Sequence, residues 1–235
     1  MVLRLLFFLN KNVKNDFILL KSNGGIPIFQ LIIFTLNMNY LAHAYLSFQQ
    51  PEILVGNMIS DHVKGKTQFG YPLAIQKGIS LHRAIDHYTD THAATQELKS
   101  FFRPQYRLYS GAFADIAYDH FLANDVKEFD SETVLKEFAA STYQILQMKY
   151  EVLPPPFQQM FPYMKEYDWL YNYRFTGGIE RSFTGLVRRA AYLTESKIAF
   201  EIFNTHYNAM QACYAAFFPS LKKYAADHLS ELLHS

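Results

Sequence analysis

His82 and Asp86 are the two residues whose types and spacing most clearly suggest chemistry in this chain. They lie four positions apart in a segment with helical periodicity, and residues at that spacing share one face of a helix. An imidazole and a carboxylate on one face are what a single helix can offer to a divalent metal. Asp115 and Asp119 repeat the spacing in a second segment. Two such helices facing each other are predicted to form a metal site.

Two further ionisable residues, His43 and Asp61, lie among apolar neighbours in earlier segments. A buried carboxylate needs a compensating base or cation, because an unpaired buried charge is strongly destabilising. This mixture of imidazoles and carboxylates favours manganese, iron or magnesium over a structural zinc ion. A single histidine among apolar residues is more often a hydrogen-bonded core residue. The metal hypothesis therefore depends on the same ligand types recurring in four successive helical segments.

The composition predicts one all-α domain, a single helical bundle. Half of the 235 residues are hydrophobic, 17% are aromatic and only ten are glycine, which favours packed helices over a sandwich or barrel. Cys213 is the single cysteine, which excludes an internal disulfide framework and a cysteine-rich zinc site and agrees with a cytoplasmic location. The net charge of +1 gives no support for nucleic-acid binding.

Proline, glycine and serine residues predict most of the helix boundaries. The predicted elements are a helix from Pro51 to about Lys66, a long helix that follows Pro72, a segment from about Gln105 to Asn124, a helix from the N-cap Ser131 to about Glu151, a break at Gly177-Gly178, and two helices separated near 192–196. No internal repeat and no linker divides this region into domains.

Residues 1–37 differ in character from the rest of the chain. Their apolar runs are shorter than the roughly 18–20 residues that a membrane span requires. No small-residue cleavage site of a signal peptide is clear. Met38 offers a natural second start, so we expect 1–37 to be a non-native extension or the result of a start assigned too early, and 38–235 to be the functional domain.

Long ordered motifs then allow a family to be recognised. Arg103 follows Phe102, and Asp168-Trp169-Leu170 and Tyr173 occur later in the chain. The longer motifs are Met38-Asn39-Tyr40-Leu41-Ala42-His43, Gly56-Asn57-Met58-Ile59-Ser60-Asp61-His62-Val63-Lys64-Gly65, Gly78-Ile79-Ser80-Leu81-His82-Arg83-Ala84-Ile85-Asp86-His87-Tyr88-Thr89-Asp90 and Asp115-Ile116-Ala117-Tyr118-Asp119-His120-Phe121-Leu122-Ala123. Together they resemble the acyl carrier protein phosphodiesterase family, strongly as far as Asn124 and more weakly beyond it.

The resemblance implies an enzyme that removes the 4′-phosphopantetheine arm from holo-acyl carrier protein by hydrolysing its phosphodiester to a carrier serine. It also implies a divergent, all-helical relative of the HD phosphohydrolases, usually manganese-dependent, with iron or magnesium as alternatives. Carried over by position, the metal-site residues would be Asp61, His82, Asp86, Asp115, Asp119 and His43, with His120 next to them. Many relatives have a second arginine where this chain has Ala84, so Arg83 alone would provide that anion contact.

The same groups suggest roles in hydrolysis and in docking. Asp61 or Asp119 would activate a water, and His120 or His62 would protonate the leaving serine oxygen. Lys64, Arg83 and Arg103 would neutralise charge on the phosphoryl oxygens. Because acyl carrier proteins are acidic, we expect them to dock on a basic patch that is formed by Lys64, Lys66, Arg103 and Arg107.

Three alternative interpretations remain open from the sequence alone. A related HD-type enzyme could hydrolyse a nucleotide or another small phosphoester at the same metal site. A carrier-binding protein without catalysis could use the acidic residues only for structure. Arg103 and Arg107, one helical turn apart, could also be an ordinary exposed basic face.

Overall fold

The helices of this protein are joined by short turns, and the computed structural model describes residues 39–190 and 192–234. These residues belong to one unit, Ile33–Ser235, and contain no β-strand. The eleven α-helices of the described residues are α1 Tyr40–Tyr45, α2 Pro51–Ile59, α3 Leu73–Thr91, α4 Ala93–Tyr106, α5 Ser110–Ala123, α6 Glu132–Met148, α7 Pro155–Glu166, α8 Trp169–Asn172, α9 Thr176–Arg189, α10 Lys197–Thr205 and α11 Tyr207–His234. The all-α prediction is confirmed. The predicted extension 1–37 lies outside the described residues.

Aromatic side chains fill the core where α4, α5, α9 and α10 meet. Phe102 stacks on Phe113 with ring centroids 5.5 Å apart, and Phe183 packs edge-on against Phe113 at 5.1 Å. Phe203 extends the group from α10 and is fully buried. Each such ring removes a large apolar area from water, and edge-to-face pairs add further stabilisation. The high aromatic content thus builds the scaffold against which the site helices are held.

Two glycines allow α2 and α3 to pack with their backbones almost in contact. A Cβ atom at Gly56 would lie 2.1 Å from the carbonyl oxygen of Ile75, and one at Gly78 would lie 2.3 Å from that of Ile53. No other residue type fits at either position without separating the helices. This close approach brings the end of α2 against the middle of α3, where His82 and Asp86 lie.

The predicted helix from Pro51 to about Lys66 is wrong at its C-terminal end. α2 ends at Ile59, a 3₁₀ turn covers Ser60–His62, and the backbone is extended at Val63. Gly65, with φ of +54°, then adopts the left-handed conformation that glycine favours, so the α-helix cannot continue. A second 3₁₀ segment, Gly65–Gly70, leads to Pro72 and to α3, which begins where it was predicted.

Two further boundaries also differ from the prediction. Gln105 belongs to α4, which was not predicted as a separate helix. α4 ends at Tyr106, because the following residue, Arg107, has a φ of +47° that interrupts the helix, and α5 begins only at Ser110. Gly178 lies in the first turn of α9 and does not break a helix. A Cβ there would lie 1.9 Å from the carbonyl oxygen of Asn172, so this glycine serves close packing. The N-cap at Ser131 is confirmed, since its hydroxyl accepts a hydrogen bond from the Val134 N–H.

Among the described helices, none combines the length and the hydrophobicity that a membrane-spanning segment requires.

Candidate metal centre

Four ionisable side chains converge from α1, α3 and the 3₁₀ turn Ser60–His62 that follows α2. We call this group the His–Asp cluster: His43, Asp61, His82 and Asp86. Nε2 of His82 lies 3.2 Å from Oδ2 of Asp86 and 3.4 Å from Oδ1 of Asp61. Nε2 of His43 lies 3.2 Å from Oδ1 of Asp86. Ligand atoms of His43, His82 and Asp86 all lie within 4.8 Å of one another. The cluster therefore has the donor set and the dimensions of a site for one divalent ion.

Asn57 of α2 orients both imidazoles of the cluster. Its side-chain Oδ1 lies 2.7 Å from Nδ1 of His43, and its backbone oxygen lies 2.7 Å from Nδ1 of His82. Both oxygens can only accept, so each Nδ1 carries the hydrogen and donates it. The two rings stack with centroids 3.9 Å apart, and each Nε2 atom lies 3.2 Å from a carboxylate oxygen of Asp86. Hydrogen bonding of one ring nitrogen to an outer acceptor is how proteins hold a histidine for metal ligation by the other.

The buried Nε2 atoms of His43 and His82 find no hydrogen bond of acceptable geometry among the described residues. With Nδ1 protonated in each ring, a neutral imidazole would direct a lone pair at a carboxylate oxygen. Two facing acceptors repel each other, and buried polar atoms without a partner are costly. A cation between the Nε2 atoms and the carboxylates would satisfy all of them. The residues present thus fit a divalent metal.

The electrostatics of the cluster also favour a positive charge at this point. Burial alone would lower the pKa of His82, but the neighbouring carboxylates of Asp86 and Asp61 raise it to about 10. The pKa of His43 is lowered, first by burial and then by the neighbouring His82. Burial opposes ionisation of Asp86, yet His82 and His43 lower the pKa of its carboxyl well below the usual range. The two carboxylates thus favour a positive charge beside Nε2 of His82, which a bound cation would supply in place of a proton.

Asp119, predicted from its spacing as a ligand, contacts the backbone at the start of α1. Its two carboxylate oxygens accept the backbone N–H groups of Leu41 and Ala42 at 3.0 and 2.9 Å. These are free donors in the first turn of α1, whose own N-cap Asn39 provides no side-chain hydrogen bond. Burial raises the pKa of Asp119, and the two N–H groups partly offset this effect. Asp119 thus anchors the helix that carries His43, and the structure does not bring it into the His–Asp cluster.

Asp115 and His120, also on α5, lie outside the cluster as well. Asp115 is partly buried, and burial together with the charge of Asp86 raises the pKa of its carboxyl well above the ordinary value. His120 is held between the backbone oxygen of Tyr173, 2.7 Å from Nδ1, and the hydroxyl of Tyr207, 3.0 Å from Nε2. Both ring nitrogens of His120 are thus engaged in the core between α5 and α11.

The predicted cations divide between two parts of the surface. Lys64 and Lys66 are exposed in the segment that follows Asp61, and exposed Arg83 packs against the same segment, with hydrogen bonds to Gln68 and to the backbone oxygen of Val63. Arg103 and Arg107 are exposed at the end of α4.

A cavity of about 680 Å³ lies between α3, α4 and the start of α5, and Asp86 forms part of its wall. Three carboxylates, those of Asp86, Asp90 and Asp115, face the same space as Lys99, Arg103 and Arg107. Lys99 is nearly buried and its Nζ lies 2.5 Å from Oδ1 of Asp90.

Sequence reasoning assigned no role to Asn57 or Lys99. Asn57 lies within a quoted motif, four positions before Asp61, and this spacing is the signal that could have drawn attention to it. Lys99 follows no such pattern and becomes significant only through its burial.

Comparison with known proteins gives a consistent result. A family model described as acyl carrier protein phosphodiesterase matches residues 38–221. The acyl carrier protein phosphodiesterase of Enterobacter sp. (strain 638) is 31% identical over 184 residues, which cover 78% of this chain and 95% of that protein. The protein of the same name from Klebsiella pneumoniae (strain 342) is 31% identical over 190 residues, covering 81% and 98%. The one from Escherichia coli O9:H4 (strain HS) is 27% identical over 189 residues, covering 80% and 98%. No solved structure matches the chain.

Proposed function

The chain belongs to the acyl carrier protein phosphodiesterase family, and on this premise we propose that it hydrolyses the phosphodiester of holo-acyl carrier protein. Water would add to phosphorus, the bond from phosphorus to the carrier serine oxygen would break, and that oxygen would gain a proton. The products are 4′-phosphopantetheine and apo-carrier. The observation that carries the proposal is the pair of buried imidazoles whose Nε2 atoms face Asp86 and Asp61.

We propose that His43, His82 and Asp86, with Asp61, hold one divalent ion, most simply Mn²⁺, with Fe²⁺ or Mg²⁺ as alternatives. When bound, such an ion supplies Lewis acidity toward a phosphoryl oxygen and lowers the pKa of water. Asn57 keeps both histidines in the ligating tautomer. The HD-like relationship stays a prediction.

Asp61 is the best-placed base for the attacking water. Its carboxylate is partly exposed and approaches Nε2 of His82 at 3.4 Å, a longer distance than that of Asp86. A carboxylate at the edge of the cluster can accept a proton from water while its neighbours ligate. Asp119, the other candidate base, is already engaged by two backbone N–H groups.

Lys64 and Arg83 would compensate the charge of the phosphodiester. Both are exposed beside the segment that carries Asp61. Of the two histidines considered as proton donors, His62 adjoins Asp61, whereas His120 is held in the core. Burial lowers the pKa of His62 to about 4, so it would be neutral at pH 7 and would bind the leaving oxygen by hydrogen bonding.

The partner we propose is holo-acyl carrier protein, attracted by exposed cations. Lys64, Lys66, Arg103 and Arg107 were predicted as this patch, and all four side chains are exposed. Complementary charge accelerates association and orients the partner. A cytoplasmic location is part of the same proposal.

The test is to incubate the purified chain with Mn²⁺ and holo-carrier and to follow the loss of phosphopantetheine from the carrier by mass spectrometry. Asp86→Ala should abolish release and metal binding. Asp90→Ala, one turn further along α3 and outside the cluster, is the matched control and should retain the metal. Release from nucleotides or small phosphoesters but not from holo-carrier would contradict the proposed substrate. Full activity of Asp86→Ala would contradict the proposed site.

A further inference from the structure

The His–Asp cluster is close to two different features of the molecule, an exposed basic segment and a cavity. Arg83, which lies between His82 and Asp86 in the sequence, contacts the exposed segment 63–70, which carries Lys64 and Lys66. Toward the C-terminal half of α3, Asp86, Thr89 and Asp90 form one wall of the 680 Å³ cavity. Asp86 therefore belongs both to the cluster and to the cavity.

A phosphodiester bound at the cluster has two ester groups, which must leave it in different directions. One joins a serine on the surface of a folded protein, and the other joins a flexible arm of pantetheine. The cavity has the volume of an ordinary small-molecule site, whose range is about 300–1,000 Å³. A helical carrier protein cannot enter such a space. The arm can, because pantetheine is a linear molecule of drug-like size.

The lining of the cavity also fits the chemistry of the arm. Pantetheine carries two amides and hydroxyl groups, which need hydrogen-bond partners when they leave water. Gln96, Lys99 and Ser110 provide polar side chains in the wall. Gly111 leaves the opposite wall without a side chain. A Cβ there would lie 3.5 Å from Cε and 3.7 Å from Nζ of Lys99, so any longer side chain would extend into the space in front of that lysine.

We infer that this cavity receives the pantetheine arm of the substrate, while the carrier protein docks on the other side of the cluster, over residues 63–70. The inference rests on the proposed function. It also divides the predicted basic patch. Lys64 and Lys66 contact the carrier, whereas Arg103 and Arg107 line the cavity that receives the arm.

The experiment uses two probes that each represent one half of the substrate: pantetheine, and apo-carrier protein without its arm. Binding of each to the purified full chain is measured by calorimetry, and circular dichroism confirms that each variant is folded. Gly111→Leu fills the cavity and should weaken pantetheine binding by about tenfold or more while leaving apo-carrier binding unchanged. The double variant Lys64→Glu/Lys66→Glu should weaken apo-carrier binding and leave pantetheine binding unchanged.

Two controls make the result specific. Gly111→Ala adds only the Cβ atom at ordinary contact distance, so it should bind pantetheine like the wild type. Ala212→Leu adds the same side chain to a second cavity of about 480 Å³ beside α11, and it should also bind pantetheine normally.

Equal pantetheine affinity of Gly111→Leu and the wild type would overturn the inference, as would displacement of pantetheine by apo-carrier. A wild type that releases phosphopantetheine from holo-carrier but does not bind millimolar pantetheine also overturns it, without affecting the proposed reaction. Conversely, the protein can show Gly111-dependent binding of pantetheine and yet release nothing from holo-carrier. That result supports the arm site and contradicts only the proposed reaction.

Discussion

Asn57 orients the ring of His43 but is not itself a proposed metal ligand. Replacing it with leucine therefore tests the orientation of that histidine while all the proposed ligands remain present. The side chain is fully buried and makes three hydrogen bonds: it accepts one from Nδ1 of His43 and donates to the His43 carbonyl and to the Ser47 hydroxyl, at 2.7, 2.8 and 3.1 Å. Leucine is similar in size and makes none of them. At about 1 kcal/mol for each net hydrogen bond, Asn57→Leu should lower the free energy of unfolding by about 3 kcal/mol.

The larger effect should be on metal binding. Without the Oδ1 acceptor, His43 is free to move its hydrogen to Nε2, which then has no lone pair for a metal. Loss of such an outer partner typically lowers metal affinity about 10–100-fold. The affinity is measured by competition with a chromogenic chelator, and stability by urea unfolding of the metal-free protein.

Ser47→Ala is the matched control for this prediction. It removes the hydroxyl that accepts from Asn57 and donates to the His43 carbonyl, and it leaves the His43 ring contact in place. We expect a loss of about 2 kcal/mol of stability with unchanged metal affinity. If Asn57→Leu binds metal within a factor of about two of Ser47→Ala, the reasoning about the tautomer is refuted.

Three further predictions concern α5, pH and salt. Asp119→Ala leaves two buried N–H groups of α1 without acceptors and should lower the free energy of unfolding by roughly 2–5 kcal/mol in urea; a loss below about 1 kcal/mol would contradict the capping role. The folded-state pKa of His82, about 10, exceeds its unfolded value of 6.5, so its contribution to stability is complete below pH 6.5 and is lost as pH rises toward 10. The melting temperature of chelator-treated protein should therefore fall from pH 7 to pH 9, less steeply with saturating metal; a rise would contradict the ion pair. Carrier affinity should weaken as ionic strength increases, and Lys64→Glu/Lys66→Glu should reduce that dependence; an affinity indifferent to salt would indicate apolar docking.

Local patterns accounted for the helical class and for the start of α3 directly after Pro72. They failed where one residue type serves more than one purpose. Gly177-Gly178 was interpreted as a break, but Gly178 provides the close approach of α9 to Asn172. The end of α2 near Ile59 was missed, because nothing in the local periodicity marks the 3₁₀ turn that places Asp61 beside His82.

The paired spacings of α3 and α5 show where local information stops. His82–Asp86 and Asp115–Asp119 have the same separation in sequence, and each places two polar groups on one helical face. A buried carboxylate is stabilised by whichever donors or cations surround it. For Asp86 these are two imidazoles, and for Asp119 they are the free N–H groups of α1.

The sequence by itself determined the helical class, the family and the shared face of His82 and Asp86, because these depend on composition, motif order and the helical repeat. Only the tertiary structure separated Asp119, which holds a helix end, from the predicted ligands that come together in the His–Asp cluster. The contact of α2 with α3 at Gly56 and Gly78, and the donors that each carboxylate meets, depend on packing between segments far apart in the chain. Such packing is not encoded in any local spacing.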